Sequence, residues 1–241
     1  MTTLSSESRR LPAELRDPRT FLVLVALSVA LLLAELDQSV FATALPTVVG
    51  ELGGVERQLW VGTGYVLASA LVMPILGRLG DLLGRRRVLT VALLVFVVGS
   101  IVGGVAPSME MVIVARVLQG LGGGGLLIVV QAVVADIVAP SRRALVLSVI
   151  GAVFAAAAIG GPVVGGGLTD SLGWRWVFWM NVPLGLAAAV AVWRWLPASA
   201  GTRRSVRVDL PGTLCLSIAL VAGVLVLIWG GTAFAWDLAS S

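Results

Sequence analysis

Residues 77–87 read Gly77-Arg78-Leu79-Gly80-Asp81-Leu82-Leu83-Gly84-Arg85-Arg86-Arg87. This short charged stretch separates two apolar runs, 58–77 before it and 88–106 after it. Each run has about the 20 residues that a helix needs to cross a ~30 Å hydrocarbon core. Gly77 and Gly84 suit a tight reversal, because glycine enters backbone conformations closed to other residues. Asp81 places a carboxylate near the helix termini, and the arginines anchor one membrane face. The stretch reads as the turn between two membrane-spanning helices.

The same alternation continues outward along the chain. Of its 241 residues 58% are hydrophobic and 12% charged, with a mean hydropathy of +1.02, whereas soluble domains carry about 25% charged residues. Apolar runs predict helices at 20–46, 58–77, 88–106, 109–135, 144–168, 175–196 and 211–230. The chain divides into a tail (1–19), a six-helix bundle (20–196), a linker (197–210), a seventh helix (211–230) and an end segment (231–241). No connection is large enough to be a domain. The fold class is an all-α polytopic membrane protein.

Absences exclude several chemistries. With no His and the single Cys215 inside an apolar run, zinc, copper and haem sites lack ligands, so no metal is expected. All 17 basic residues are Arg, which removes lysine-dependent covalent catalysis. There is one Tyr and no Gly-x-Ser-x-Gly elbow, and an enzyme is not expected. The glycine runs 122–125 and 165–167 lack a following Gly-Lys-Ser/Thr, so they are not phosphate loops.

The pI near 10.9 reflects topology. If the N-terminus is cytoplasmic, the inner segments collect Arg9, Arg10, Arg16, Arg19, Arg78, Arg85, Arg86, Arg87, Arg142, Arg143, Arg194, Arg203, Arg204 and Arg207. Only Arg57 and Arg175 then lie outside, with Arg116 inside a helix. The positive-inside rule fixes that orientation in a multi-pass plasma-membrane protein. The inner arginines meet anionic lipid headgroups, and nucleic acid is not the expected partner. Ala42-Thr43-Ala44 after the first apolar run also resembles a signal-peptide cleavage site, but cleavage there would remove the acidic residues of the first span.

Those acids are Glu35 and Asp37, near the middle of that span. A charged side chain at a helix centre costs roughly 2.5–3.5 kcal/mol on insertion scales, and such residues are functional by default. Two positions along a helix is about 200° of rotation, so the two acids face different surroundings. Arg116 in the fourth span has Gln119 and Gly120 on its own stripe, and a long Arg side chain there reaches the level of Asp37. An acid facing Arg is either a proton- or ion-coupled switch, since a nearby cation lowers a carboxyl pKa, or a static pair that fixes helix positions. In the fifth span Gly161-x-x-x-Gly165 is a small-xxx-small contact, and Pro162 removes a backbone donor. Close approach and bending both remain open there.

Residues 77–87 resemble the signature cytoplasmic loop of the major facilitator superfamily. Leu36-Asp37-Gln38-Ser39-Val40-Phe41-Ala42-Thr43-Ala44-Leu45-Pro46 is similar to the first-helix motif of its drug/proton antiporters. Arg116-Val117-Leu118-Gln119-Gly120 is similar to their fourth-helix motif, and Gly161-Pro162-Val163-Val164-Gly165-Gly166 to their fifth-helix antiporter motif. Trp174-Arg175-Trp176-Val177-Phe178 with Asn181-Val182-Pro183, and Asp209-Leu210-Pro211-Gly212, resemble the fourteen-span group. The resemblance implies a six-helix bundle of 3+3 inverted repeats plus a seventh transmembrane helix. It implies efflux of drugs or other amphipathic small molecules in exchange for protons, with no cofactor beyond the proton gradient. Asp37, Arg116 and Glu35 become proton-coupling candidates, although Glu35 departs from the motif. Gln119 and Tyr65 become cavity candidates. Gly77, Asp81, Gly84, Arg85 and Arg86 form the expected gating loop, and Gly161, Pro162, Gly165 and Gly166 the expected hinge. Such transporters have two six-helix halves with substrate between them. The expected partner is therefore a second half, in a longer or separate chain, or a second copy; a non-transporting membrane binding or regulatory protein is the other reading.

Overall fold

The computed structural model describes residues 17–198 and 210–229. The expected tail (1–16), most of the linker (199–209) and the end segment (230–241) lie outside the described residues, with Arg9, Arg10, Arg16, Arg203, Arg204 and Arg207. The helices are α1 (Pro18–Leu52), α2 (Gln58–Leu83), α3 (Arg85–Gly104), α4 (Met109–Gly123), α5 (Leu126–Ile137), α6 (Pro140–Leu172), α7 (Arg175–Trp179), α8 (Asn181–Trp195) and α9 (Leu210–Trp229). Six stretches are long and apolar enough to cross a membrane, with α4 and α5 forming the fourth span and α7 and α8 the sixth. The apolar α9 packs against α2. There is no strand among the described residues.

The helices outrun the apolar runs that announce them. An apolar run marks the hydrocarbon thickness, whereas a helix continues until its backbone bonding is stopped. Asp17 starts α1 by accepting the N–H groups of Arg19 and Thr20 at 3.3 and 3.1 Å and the Thr20 hydroxyl at 2.7 Å, the usual N-cap device. The Thr20 hydroxyl holds the Asp17 carboxyl below the usual carboxylate range. At the other end α1 passes through Pro46 and stops only at Gly53.

The expected loop at 77–87 is corrected in the same way. Residues 77–83 are the last turns of α2, and Gly84 alone, at φ +91°, separates them from α3. That φ is open to glycine and strained for most side chains. Gly77 is not at the turn; it lies within α2 against Ile128, where a Cβ would sit at 3.4 Å.

Two apolar clusters form the core. One gathers Leu27, Leu31, Leu89, Leu93, Phe96 and Val130 toward the Arg-rich end. The other gathers Val40, Phe41, Val48, Val112, Trp174 and Phe178 toward the opposite end. In lipid, helices associate through close van der Waals contact, because the hydrophobic effect no longer separates one apolar surface from another. Glycine supplies that closeness in two spans. A Cβ at Gly122 would lie 2.5 Å from the Ala92 carbonyl oxygen, and one at Gly120 would lie 2.9 Å from Ala68 Cβ. The fourth span thus presses its backbone between α2 and α3.

The expected hinge divides by position. A Cβ at Gly165 would lie 2.7 Å from the Val40 carbonyl oxygen and overlap the Thr43 hydroxyl, and one at Gly161 would overlap the Ser39 hydroxyl. Gly161 and Gly165 are therefore the contact of α6 with α1. Gly166 meets nothing within 4 Å, and α6 runs unbroken through an exposed Pro162. Overpacking of a filled contact typically costs about 1–3 kcal/mol. Gly165→Val is expected to lower the melting temperature of the detergent-solubilised protein, whereas Gly166→Ala leaves it within error. Equal melting curves for both variants would remove the contact role.

Candidate functional site

Asp37 sits between the two apolar clusters, following Leu33 and preceding Val40 on α1. Ser100 on α3, Arg116 and Gln119 on α4 and Asn181 on α8 occupy the same level, and all five are buried. Each lies where its span passes from one cluster to the other. Spans one, three, four and six thereby bring their polar side chains together at the waist of the bundle. As expected from the 200° separation, Glu35 is not among them; it is half-buried, and its carboxylate makes no hydrogen bond or ion pair among the described residues.

The geometry is that of a compensated carboxylate. Arg116 Nη1 donates to Asp37 Oδ2 at 2.5 Å, with the two side chains 1% and 0% exposed. Gln119 Nε2 and Asn181 Nδ2 donate to Asp37 Oδ1 at 2.8 and 2.6 Å. Gln119 also accepts from Arg116 Nη1 at 2.8 Å and donates to Ser100 Oγ at 2.9 Å. Ser100 Oγ in turn donates to the Phe96 carbonyl oxygen at 2.9 Å. Arg116 Nη2 donates to Gln38 Oε1. Within this network two buried atoms lack a partner, Arg116 Nε and Asn181 Oδ1.

Aromatic faces complete the seat of the guanidinium. Arg116 Cζ lies 4.7 Å from the Phe41 ring centroid and 4.5 Å from that of Tyr65, close enough for cation–π attraction, worth about 2 kcal/mol or more when desolvated. Of the two cavity candidates, Tyr65 covers the cation, and Gln119 is fully buried as a link between Arg116, Asp37 and Ser100. Sequence reading singled out Asp37, Arg116 and Gln119 but missed Ser100 and Asn181 as site residues. The signal for Asn181 was present: an amide inside an apolar span, quoted only as part of a motif.

A family model described as Major Facilitator Superfamily matches residues 27–236. The chain belongs to the Major Facilitator Superfamily. That superfamily consists of transporters, not enzymes. An uncharacterised MFS-type transporter of Mycobacterium tuberculosis (strain ATCC 25618 / H37Rv) is 40% identical over 222 residues, covering 92% of this chain and 32% of the relative. The multidrug transporter protein MdtP of Bacillus subtilis (strain 168) is 35% identical over 228 residues, covering 95% and 42%. Multidrug resistance protein 3 of the same strain is 33% identical, covering 90% and 42%. The chain thus spans well under half of these curated relatives. Among solved structures, the human organic anion transporter MFSD10 superposes with a TM-score of 0.68 at 19% identity, over 96% of this chain and 58% of that one, which establishes the fold.

The superfamily signature at 77–87 also has a definite geometry. Arg85 Nη2 donates to Asp81 Oδ1 at 3.1 Å, and Arg85 Nε lies 2.6 Å from Asp136 Oδ2. The pair expected to form a gating loop is therefore part of a three-member cluster that ties α2 and α3 to the end of α5. Asp136 was not anticipated; an acid at the Arg-rich end of an apolar span was its signal. Arg86 stacks over Trp193, 4.3 Å from the ring centroid. At the opposite end Glu51 accepts from Trp174 Nε1 at 2.8 Å and Arg175 Nη1 at 2.6 Å.

Removing one member of a buried pair leaves an uncompensated charge and typically costs about 3–5 kcal/mol. Arg116→Met is expected to lower the melting temperature of the purified protein steeply. Arg116→Met with Asp37→Asn is expected to recover most of that loss. A double-mutant cycle read by thermal denaturation checks this, and additive losses would show that the charges do not depend on each other.

Proposed function

We propose that this chain supplies the proton-coupling half of an exporter that moves amphipathic small molecules outward across the plasma membrane in exchange for protons. The observation that carries the reading is the buried Asp37–Arg116 pair with its three amide and hydroxyl companions. A conformational cycle that opens and closes the pair lets the Asp37 carboxylate exchange Arg116 for a proton and back again. The energy source is the proton gradient, and no cofactor is required.

Support for the substrate class comes from two sides. Two relatives are named as multidrug proteins. A groove of about 550 Å³ between α1 and α6 is lined by Leu24, Val25, Ser28, Leu32, Val146 and Val149, an apolar wall suited to the body of an amphipathic molecule. A second six-helix half closes the path from the other side, in keeping with the two-half construction of such transporters. The N-terminus is cytoplasmic in this reading, because Arg78, Arg85, Arg86, Arg87, Arg142, Arg143 and Arg194 then all lie on the inner face. The cluster of Arg85 with Asp81 and Asp136 acts there as the gate, and Gly161 and Pro162 form the pivot of α6 against α1. Glu35, on the other face of α1, serves as a second titratable group.

The test joins the chain to a matching second half and reconstitutes the product in proteoliposomes. Asp37→Asn is expected to reduce drug-driven proton flux to the level of empty vesicles. Flux equal to that of the parent protein removes Asp37 from coupling. A drug-susceptibility screen of cells expressing the 241-residue chain beside the completed form separates what this chain does alone from what it does with a partner.

A further inference from the structure

Three groups donate to Asp37, and they differ in what else they can do. Arg116 carries donors only. Gln119 has both ends of its amide in use, Oε1 on Arg116 and Nε2 on Asp37 and Ser100. Asn181 alone holds an acceptor in reserve: its Nδ2 serves Asp37 Oδ1 at 2.6 Å, while its Oδ1 is buried without a partner. A buried amide oxygen left unpaired costs about 1–3 kcal/mol. An ionised carboxylate only accepts, so the amide nitrogen must face it. A protonated carboxyl offers an O–H and needs an acceptor instead.

We propose that Asn181 is a positioning residue whose side-chain amide turns over with the protonation of Asp37, giving Nδ2 to the carboxylate and Oδ1 to the acid. The step balances simply. A proton delivered by hydronium, which leaves as water, joins Asp37 Oδ1, the Nδ2–H···Oδ1 bond is released, and the new O–H donates to Asn181 Oδ1. The inference rests on the proton-carrier reading of Asp37 and adds the group that makes both of its states acceptable in an apolar interior. It also places span six in the cycle. Asn181 is the first residue of α8, next to the joint at Met180 where the sixth span is parted. Pro183 lacks the N–H that would continue the helix across that joint. The charged and titratable groups around Asp37 are Arg116 from α4, Tyr65 from α2 and Glu35 on α1 itself; α3 and α8 contribute the neutral Ser100 and Asn181, and α6 contacts this part of α1 through Ser39 and the Ala157 carbonyl.

Asn181 is the single asparagine of the chain, so isotope-labelled asparagine marks this side chain in the unmutated protein. The experiment is acid-minus-alkaline infrared difference spectroscopy on the full 241-residue chain in lipid nanodiscs, with and without carbonyl-labelled asparagine. Asp37→Asn identifies the Asp37 carboxylic acid band by its loss. The expected result is an isotope-sensitive Asn181 carbonyl band that moves to lower wavenumber in step with the appearance of the Asp37 band. In Asp37→Gln, which leaves Asn181 the single asparagine, the Asn181 band is expected to be independent of pH. An Asp37 band that appears while the Asn181 band stays fixed overturns the amide turnover and leaves the proton-carrier reading intact. No Asp37 band at any pH overturns both.

Discussion

A carboxylate and a guanidinium shut between two apolar clusters set the terms for the rest of this bundle. Neither Asp37 nor Arg116 can stand alone at that depth, since an isolated ion in a low-dielectric interior carries a penalty of several kcal/mol. Each therefore requires the other at bonding distance, and spans one and four must keep a fixed register. Attraction between the charges is only part of what holds the arrangement. Gln119, Ser100 and Asn181 take up hydrogen-bonding capacity that would otherwise be left unmet in the interior, and Phe41 and Tyr65 cover the guanidinium faces. Two atoms, Arg116 Nε and Asn181 Oδ1, stay outside this compensation.

Glycine makes that register attainable. A polar side chain on one helix meets its partner on the next only if the backbones approach closely, and bulky residues at the crossing would hold them apart. Gly120 and Gly122 bring α4 against α2 and α3 just beyond Gln119. Gly161 and Gly165 bring α6 against α1 along the stretch that follows Asp37. Gly99, next to Ser100, would place a Cβ 2.8 Å from the backbone nitrogen of Gln119, so α3 and α4 nearly touch where Gln119 bonds Ser100. The small residues and the buried charges form one device, with close approach placing the network and the network fixing which faces approach.

What the sequence made legible follows from the same physics. Membrane spans were readable because a hydrocarbon core demands long apolar runs, and the Asp37–Arg116 encounter because a charge in such a run requires an explanation. Helix ends were misjudged, as at Leu52 and at 77–83, because hydropathy measures the slab and not the hydrogen bonds that continue beyond it. Gly77 was assigned to the turn on residue type alone, whereas only Gly84 has the backbone angle that a turn needs. Asn181, Ser100 and Asp136 were overlooked for a different reason. Their roles depend on which faces meet in three dimensions, and one sequence carries no direct record of that. A lone serine in an apolar span is common enough to pass unnoticed until Gln119 is found beside it.

The position of the network also constrains how it can communicate. Its members come from spans one, three, four and six of a single six-helix unit, so Asp37 is satisfied within this chain and has no need of a group from elsewhere. The wall of the apolar groove, by contrast, is made by α1 and α6 on another side of the first span. The network and the groove share no residue. Arg116 joins different faces of the first span most directly. Its Nη1 holds Asp37 and Gln119 inside the bundle, and its Nη2 holds the part-exposed Gln38, the neighbour of Asp37 on α1. A guanidinium is planar and rigid; it cannot swing from Asp37 without disturbing its bond to Gln38. The cation thus links the buried face of the first span to its half-buried one.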